Sequence, residues 1–152
     1  MQRRALLLCL VLATAGHAAE PAPPADREAA EPEGPSVDAL VARAQLCAVK
    51  QDWEQAETIY HEALERDPDR ADAWRGLGYV LRKRGQPSEA RAAYEQALAL
   101  APSDGEALLG LGETYVAVGR MDDATMILER LRAVDKRAAA TLHWIIRTEK
   151  PR

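Results

Sequence analysis

The chain has 152 residues, of which 47% are hydrophobic and 29% are charged, the composition of a single globular domain. Its formal net charge of −4 argues against a nucleic-acid-binding module, because such modules are usually basic. No apolar run approaches the roughly 20 residues that cross a bilayer, which argues against a membrane-spanning segment in the mature chain.

The first 18 residues have the form of a secretory signal peptide. Two arginines precede the apolar run ALLLCLVLATA at 5–15, and small residues then occupy the −3 and −1 places of a cleavage site. The run is too short for a membrane helix, so we predict cleavage after Ala18, with Ala19 as the alternative. The prediction makes this an exported bacterial chain, either periplasmic or secreted.

Residues 19–36, AEPAPPADREAAEPEGPS, are rich in Pro, Ala and Glu. They lack the apolar residues needed to bury a core, so we predict a disordered linker. Removal of the leader would also remove Cys9 and leave Cys47 as a lone cysteine, so the fold must be stable without an intramolecular disulfide. Cys47 is then either a small buried residue or a reactive thiol.

From residue 37 onward the sequence repeats every 34 residues, in three units without insertions: 37–70, 71–104 and 105–138. Each unit contains two successive helical patterns. In the second unit Gly85 ends the first helix by adopting a left-handed cap conformation, and Pro87 begins the second helix, where its missing N–H is no loss. Because one such pair of helices cannot bury its apolar face alone, neighbouring units must cover it.

These repeated positions resemble the tetratricopeptide repeat. The second unit carries nearly the whole family pattern: Trp74, Leu77, Gly78, Ala90, Tyr94, Ala97 and Pro102. The other two units depart from it at Arg43, Gln51 and Lys136, where Leu, a turn Gly and Pro are usual. The resemblance covers residues 37–138 and implies an all-α fold, a right-handed α-solenoid of three helix-turn-helix repeats. Residues 139–152 are predicted to be a capping helix and tail.

The resemblance also implies a concave groove, lined by the first helix of each repeat, in which family members bind extended or helical segments of other proteins. His143 or Trp144 would close its far end. The alternative is that the lining positions are ordinary solvated positions on helices. Carried over by position, the lining would consist of Asp38, Val41, Gln45, Val49, Asp72, Arg75, Tyr79, Arg82, Lys83, Glu106, Leu109, Glu113 and Val116.

One variant of the family is not matched by this sequence. Some members hold the C-terminal carboxylate of cytosolic chaperones with Lys, Asn and Arg at set places. The matching places here hold Val41, Gln45, Gly76, Glu106 and Gly110. We therefore predict that this chain lacks the carboxylate clamp.

The basic triplet Arg82-Lys83-Arg84 has two interpretations. Cations are favourable at the C-terminal end of a helix by about 0.3–1 kcal/mol each, which explains the triplet without a binding role. In the other interpretation, Arg75, Arg82 and Lys83 form the positive centre of a groove with acidic ends. Such a groove would favour a partner segment with a carboxylate in its middle.

The sequence predicts a binding protein rather than an enzyme. It contains no recognisable pair of nucleophile and base, no metal-ligand spacing and no glycine-rich phosphate loop. We therefore predict no catalytic residue, no cofactor and no metal, and we expect a protein or peptide segment as the partner. A second hypothesis is that the repeats associate into a homo-oligomer and leave the groove unused.

Overall fold

The computed structural model describes residues 34–149, and within this range it shows helices and no strand. The predicted signal peptide, most of the predicted linker and residues 150–152 lie outside the described part of the chain. The prediction of an all-α fold is confirmed, and none of the described helices is long and apolar enough to span a bilayer. The helices are α1 (Val37–Val49), α2 (Trp53–Arg66), α3 (Ala71–Lys83), α4 (Pro87–Leu100), α5 (Gly105–Ala117), α6 (Met121–Val134) and α7 (Lys136–Glu149).

Residues 34–36 belong to the folded part of the chain, although the sequence places them in the linker. The Ser36 side chain caps α1 by accepting a hydrogen bond from the backbone N–H of Ala39. One residue earlier, the carbonyl of Pro35 accepts a hydrogen bond of 2.6 Å from Arg66 in α2. The described part of the chain therefore includes the last three residues of the predicted linker.

The first helices of successive repeats form one continuous layer. The backbone of α1 approaches that of α3, α3 approaches α5, and α5 approaches α7, whereas the backbones of the second helices α2, α4 and α6 lie farther apart. A stack of helix pairs whose first helices lie closer together than its second helices curves toward the first helices. The concave face is therefore built from α1, α3, α5 and α7.

The turns inside the repeats all use the left-handed backbone region. Gly85 and Gly119 have φ values of 74° and 76°, which confirms the cap predicted for Gly85. Gln51 occupies the equivalent turn of the first repeat with a φ of 63°. A residue with a Cβ atom adopts this conformation at a cost, so the first repeat carries backbone strain that the other two lack.

Helix α7 begins three residues earlier than predicted, at Lys136 instead of residue 139. The reason is local: Asp135, the residue that ends α6, also caps the first turn of α7, so no separate turn lies between the two helices. Asp135 separates α6 from α7, and its carboxylate accepts hydrogen bonds from the backbone N–H groups of Arg137 and Ala138. Leu142 of α7 is then fully buried against the last repeat.

Candidate functional site

A depression of about 540 Å³ lies on the concave face between α1, α3 and α5. Most of its lining comes from these first helices, and two tyrosines from α2 and α4 complete it. The lining residues are Gln45, Ala48, Val49, Tyr60, Asp72, Arg75, Gly76, Tyr79, Arg82, Tyr94, Glu106, Leu109, Gly110 and Glu113. We call this depression the central groove.

Most of the residues expected in the groove are brought together here: Gln45, Val49, Asp72, Arg75, Tyr79, Arg82, Glu106, Leu109 and Glu113. Four others lie elsewhere. Val41 and Val116 are only 4% and 7% exposed, because their side chains pack in the apolar core, so their assignment to the lining is wrong. Asp38 is exposed at the start of α1, and Lys83 lies outside the lining at the end of α3.

Two tyrosines that are not among the predicted lining residues, Tyr60 and Tyr94, form the floor of the groove. Tyr60 reaches the backbone of Gly76, where an added Cβ atom would lie 2.3 Å from the Tyr60 hydroxyl oxygen. Tyr94 reaches Gly110 in the same way, with 2.5 Å to its hydroxyl oxygen. The sequence does contain a signal for this contact: each tyrosine is followed sixteen residues later by a glycine of the next repeat, and the two pairs are 34 residues apart. The glycines therefore make room for the aromatic rings below the groove surface.

Burial changes the acidity of both floor tyrosines. It raises the pKa of Tyr60 to about 12, and the charges of Arg75 and Asp72 act on it in opposite directions. Burial also raises the pKa of Tyr94, while Arg82 partly offsets that effect. Both phenols are therefore neutral at physiological pH and can offer a hydroxyl group to a molecule in the groove.

The two arginines of the central groove are paired with carboxylates around α5. Arg75 Nη1 lies 3.0 Å from the nearer carboxylate oxygen of Asp104, the N-cap residue of α5, and 3.1 Å from that of Glu106. Arg82 Nη2 lies 2.8 Å from a carboxylate oxygen of Glu113, and both side chains are about three-quarters buried. The centre predicted to be positive is therefore internally compensated, because each arginine already has a carboxylate partner.

Tyr79 connects the groove to a small group of aromatic and cationic side chains. Its ring meets that of Trp53 edge to face, with centroids 6.0 Å apart. The guanidinium carbon of Arg82 and the ammonium nitrogen of Lys83 lie 5.7 Å and 5.5 Å from the Tyr79 centroid. Tyr79 is 39% exposed, so part of this ring remains available to a partner.

The other end of α3 carries an ion-pair network that holds Asp72 ionised. Arg70 donates hydrogen bonds of 3.0 Å and 2.9 Å to Asp72 and one of 2.6 Å to Asp38. The bonds from Arg70 lower the pKa of Asp72 below its ordinary value, against the opposing effect of burial. Asp38 thus joins α1 to the start of α3, which is a structural role outside the groove lining.

The far end of the concave face is formed by α7. His143 and Trp144 line a separate depression of about 440 Å³ on this helix and do not close the central groove. Within residues 34–149 no group of three or more His, Cys, Asp or Glu side chains is placed to hold a metal ion. Cys47 is buried, and its thiol donates to the Gln55 side-chain oxygen at 3.2 Å.

Comparison with known proteins agrees with the 34-residue helical pairs and the layered packing. Two family models, both described as tetratricopeptide repeat, match residues 36–103 and 81–143. The chain belongs to the tetratricopeptide repeat family. No curated protein matches the chain.

Several solved tetratricopeptide repeat domains share the fold. The TPR2B domain of yeast Sti1, described as a complex with pHsp70, gives a TM-score of 0.71 at 20% identity, over 75% of this chain and 98% of that one. The Arabidopsis OM64 domain gives 0.71 at 13% identity, over 76% and 97%. The first such domain of Spaghetti (RPAP3), bound to the HSP90 peptide SRMEEVD, gives 0.69 at 16% identity, over 74% and 92%.

Two positions of the family's carboxylate clamp have no side chain in this tetratricopeptide repeat. They are Gly76 and Gly110, and the rings of Tyr60 and Tyr94 occupy the space that a side chain there would need. A larger residue at either position would require the tyrosine below it to move. The missing clamp stays a prediction from the sequence.

Proposed function

We propose that this chain is an exported, non-catalytic adaptor that holds a peptide or helical segment of another envelope protein in its central groove. The observation that carries the proposal is the exposure of large apolar side chains in a preformed depression. Val49 is 80% exposed and Tyr79 is 39% exposed, and both line the groove. Apolar side chains grouped in this way mark binding sites, and a preformed site lowers the ordering cost of binding.

Similar domains give general support for a peptide partner. The domains of Spaghetti (RPAP3) and of human RPAP3 were solved with the peptides SRMEEVD and SGPTIEEVD, respectively. This chain differs from clamp-bearing members of the family at Gly76 and Gly110, where the rings of two tyrosines occupy the space that a side chain would need. We therefore propose that its partner contributes an internal segment rather than a C-terminal carboxylate.

Export is part of the proposal and rests on the sequence of residues 1–18. It can be tested by expressing the full chain in a bacterial host, fractionating the cells and sequencing the N-terminus of the released protein. We expect a mature chain that begins at Ala19, or at Glu20 if cleavage follows Ala19. A full-length chain that stays in the cytoplasm would contradict the export proposal.

The adaptor proposal can be tested by site-specific photo-crosslinking in the envelope of the native cell. A photoreactive residue replaces Val49 in the groove, and the control places it at Met126, which is 63% exposed on α6 and outside the groove. We expect a specific crosslinked protein from position 49 and none from position 126. Adding Tyr79→Ala should weaken the captured complex about tenfold or more, because aromatic residues near the centre of an interface dominate affinity.

Self-association is the second candidate function, and one observation favours it. Ile145 and Ile146 are only partly buried, whereas Leu77 and Leu111, equivalent in position to Ile145, are 2% and 3% exposed beneath their second helices. A second copy could cover this open end of the solenoid. Light scattering on the exported chain would show a dimer if it does, and a photoreactive residue at position 146 would then capture a second copy, whereas position 49 on α1 would capture no partner.

A further inference from the structure

Helix α7 repeats the groove-lining positions of the preceding first helix. Four residues of α7 stand 34 positions after four central-groove residues of α5. The α5 residues are Glu106, Leu109, Gly110 and Glu113. The α7 residues are Ala140, His143, Trp144 and Arg147, which together with Thr148 line the depression of about 440 Å³. Because α5 and α7 are in contact, the two surfaces are neighbours on the concave face.

The most exposed aromatic side chain on this face is Trp144. It is 67% exposed and stands at the position where α5 has Gly110 and α3 has Gly76. The capping function of α7 does not require this indole, because Leu142, Ala138 and Ala139 already bury the contact with the last repeat. A tryptophan has a large apolar surface and one N–H donor, and this combination is common at the centre of binding interfaces.

The charge of the α7 surface differs from that of the central groove. Arg147 forms no ion pair within residues 34–149, whereas Arg75 and Arg82 in the central groove each have a carboxylate partner. Glu113 stands at the α5 position equivalent to Arg147, and it forms an ion pair with Arg82. An adjoining depression between α6 and α7 is lined by Lys136 and by Arg132, which is paired with Glu129. No acidic residue lines either depression.

From these observations we infer that the binding surface extends from the central groove onto α7, where Trp144 and Arg147 form a second subsite for an acidic stretch of the partner segment. The inference rests on the proposed function and specifies the chemistry of the partner. The partner segment carries an apolar or aromatic residue that packs on the Trp144 indole, next to Asp or Glu residues that pair with Arg147. The acidic stretch lies on α7 rather than over the centre, because the central arginines are already neutralised.

Peptide display tests this inference on the chain purified after export, so that any leader has been processed by the cell. A random peptide library is selected on the wild-type chain, and synthetic copies of the enriched peptides are titrated against variants. We expect peptides that combine Asp or Glu with a large apolar residue. Trp144→Ala and Arg147→Glu should each weaken binding about tenfold or more.

Two control variants match these changes. Met126→Ala removes an apolar side chain that is 63% exposed on α6, and Arg137→Glu reverses an exposed charge on α7 that lines neither of the two depressions described above. Both should leave affinity within twofold of wild type. All four residues are exposed, and circular dichroism should show an unchanged helix content in every variant.

The outcomes separate the inference from the proposed function. Peptides that lose affinity with Tyr79→Ala but not with Trp144→Ala or Arg147→Glu would overturn the inference alone, as would enrichment of basic peptides. The absence of any enriched peptide would contradict both. Binding of the chain to vesicles of anionic phospholipid, or a dimer that dissociates in Trp144→Ala, would assign the α7 subsite to a membrane or to a second copy and would also overturn the inference.

Discussion

At the scale of single residues, the shape of the central groove depends on two tyrosine–glycine contacts. Tyr60 and Tyr94 are each 2% exposed, yet their hydroxyl ends reach the groove floor because Gly76 and Gly110 have no side chain. The depth of the groove is therefore set by tyrosine–glycine contacts in which the two residues belong to adjacent repeats.

The tightness of this contact predicts a large effect of adding one methyl group. Gly76→Ala would place a Cβ atom 2.3 Å from the Tyr60 ring, so the ring or the helix must move. We expect a loss of about 1–3 kcal/mol of unfolding free energy, as is usual for overpacked cores. Urea denaturation of Gly76→Ala, of Tyr60→Leu and of the double variant measures the coupling free energy between the two positions. An equal cost of Gly76→Ala in both backgrounds would contradict the contact.

The raised pKa of Tyr60 predicts a specific loss of stability in alkali. The folded-state pKa is about 12 and the ordinary value is 10.0, so the unfolded state releases this proton first as the pH rises. The stabilisation is complete below pH 10 and is lost as the pH approaches 12. Tyr60→Phe should therefore lose unfolding free energy less steeply than wild type between these limits, as measured by urea titrations at a series of pH values. Parallel curves would show that Tyr60 titrates normally.

At the scale of helices and turns, backbone conformation fixes where each first helix ends. The three equivalent turns have positive φ values, but only two of them contain glycine. Asp104 and Asp135 determine where α5 and α7 begin, since each carboxylate accepts hydrogen bonds from two backbone N–H groups of the helix that follows. Asp104 has a second contact in the groove through Arg75, so one side chain both starts a helix and neutralises a groove cation.

The turns predict opposite effects for two substitutions. Gly85→Ala should cost about 1 kcal/mol, because the new Cβ atom meets nothing within 4 Å and only the backbone conformation is unfavourable. Gln51→Gly should be neutral or stabilising by less than about 1 kcal/mol, since relief of strain is partly cancelled by a more flexible unfolded chain. Thermal denaturation checks both, and Gly85→Asn should cost less than Gly85→Ala because Asn tolerates this region.

The sequence predicted the helices well because their signals are local. Gly85, Pro87 and the apolar spacing of each unit act over a few residues, so a single chain is enough to read them. The start of α7 at Lys136 was missed because the 34-residue period was extended to residue 138, whereas Asp135 caps a helix that begins directly after it. The absence of a positive centre could not be predicted, because the partners of Arg75 and Arg82 lie about 30 residues away and meet them only in the folded stack.

At the scale of the whole molecule, each repeat depends on its neighbours for burial. Helix α7 covers the end of the stack, and Leu142 lies against Gly112 of α5 so closely that an added Cβ atom would be 2.4 Å from it. Leu40 and Leu108, the equivalents of Leu142 in the first and third repeats, are also fully buried. The stability of such an array is the sum of its units and their interfaces.

Removal of the last helix should therefore destabilise the whole array. A chain that ends at Asp135 exposes the surface that Ala138, Ala139 and Leu142 cover, and we expect a loss of several kcal/mol, since one buried leucine alone contributes about 1.5–3 kcal/mol. A chain that lacks only residues 150–152 is the control and should unfold like wild type. Calorimetry measures both, and an unchanged transition in the chain ending at Asp135 would show that α7 is not a cap.

The ion pairs along the concave face also divide the array into a stiff and a compliant junction. Between α3 and α5, Arg75 and Arg82 make contacts at two separate levels of the helices. Between α1 and α3, the concave side has the Arg70–Asp38 pair at one end only, and the other pairs that join these two repeats, from Arg84 to Glu54 and Glu57, lie on the α2 side. A bulky partner residue can therefore widen the groove at Val49 without breaking a charge contact. Salt screens exposed pairs but acts only weakly on partly buried ones, so the Arg82–Glu113 contact should keep the junction between α3 and α5 stiff at high ionic strength.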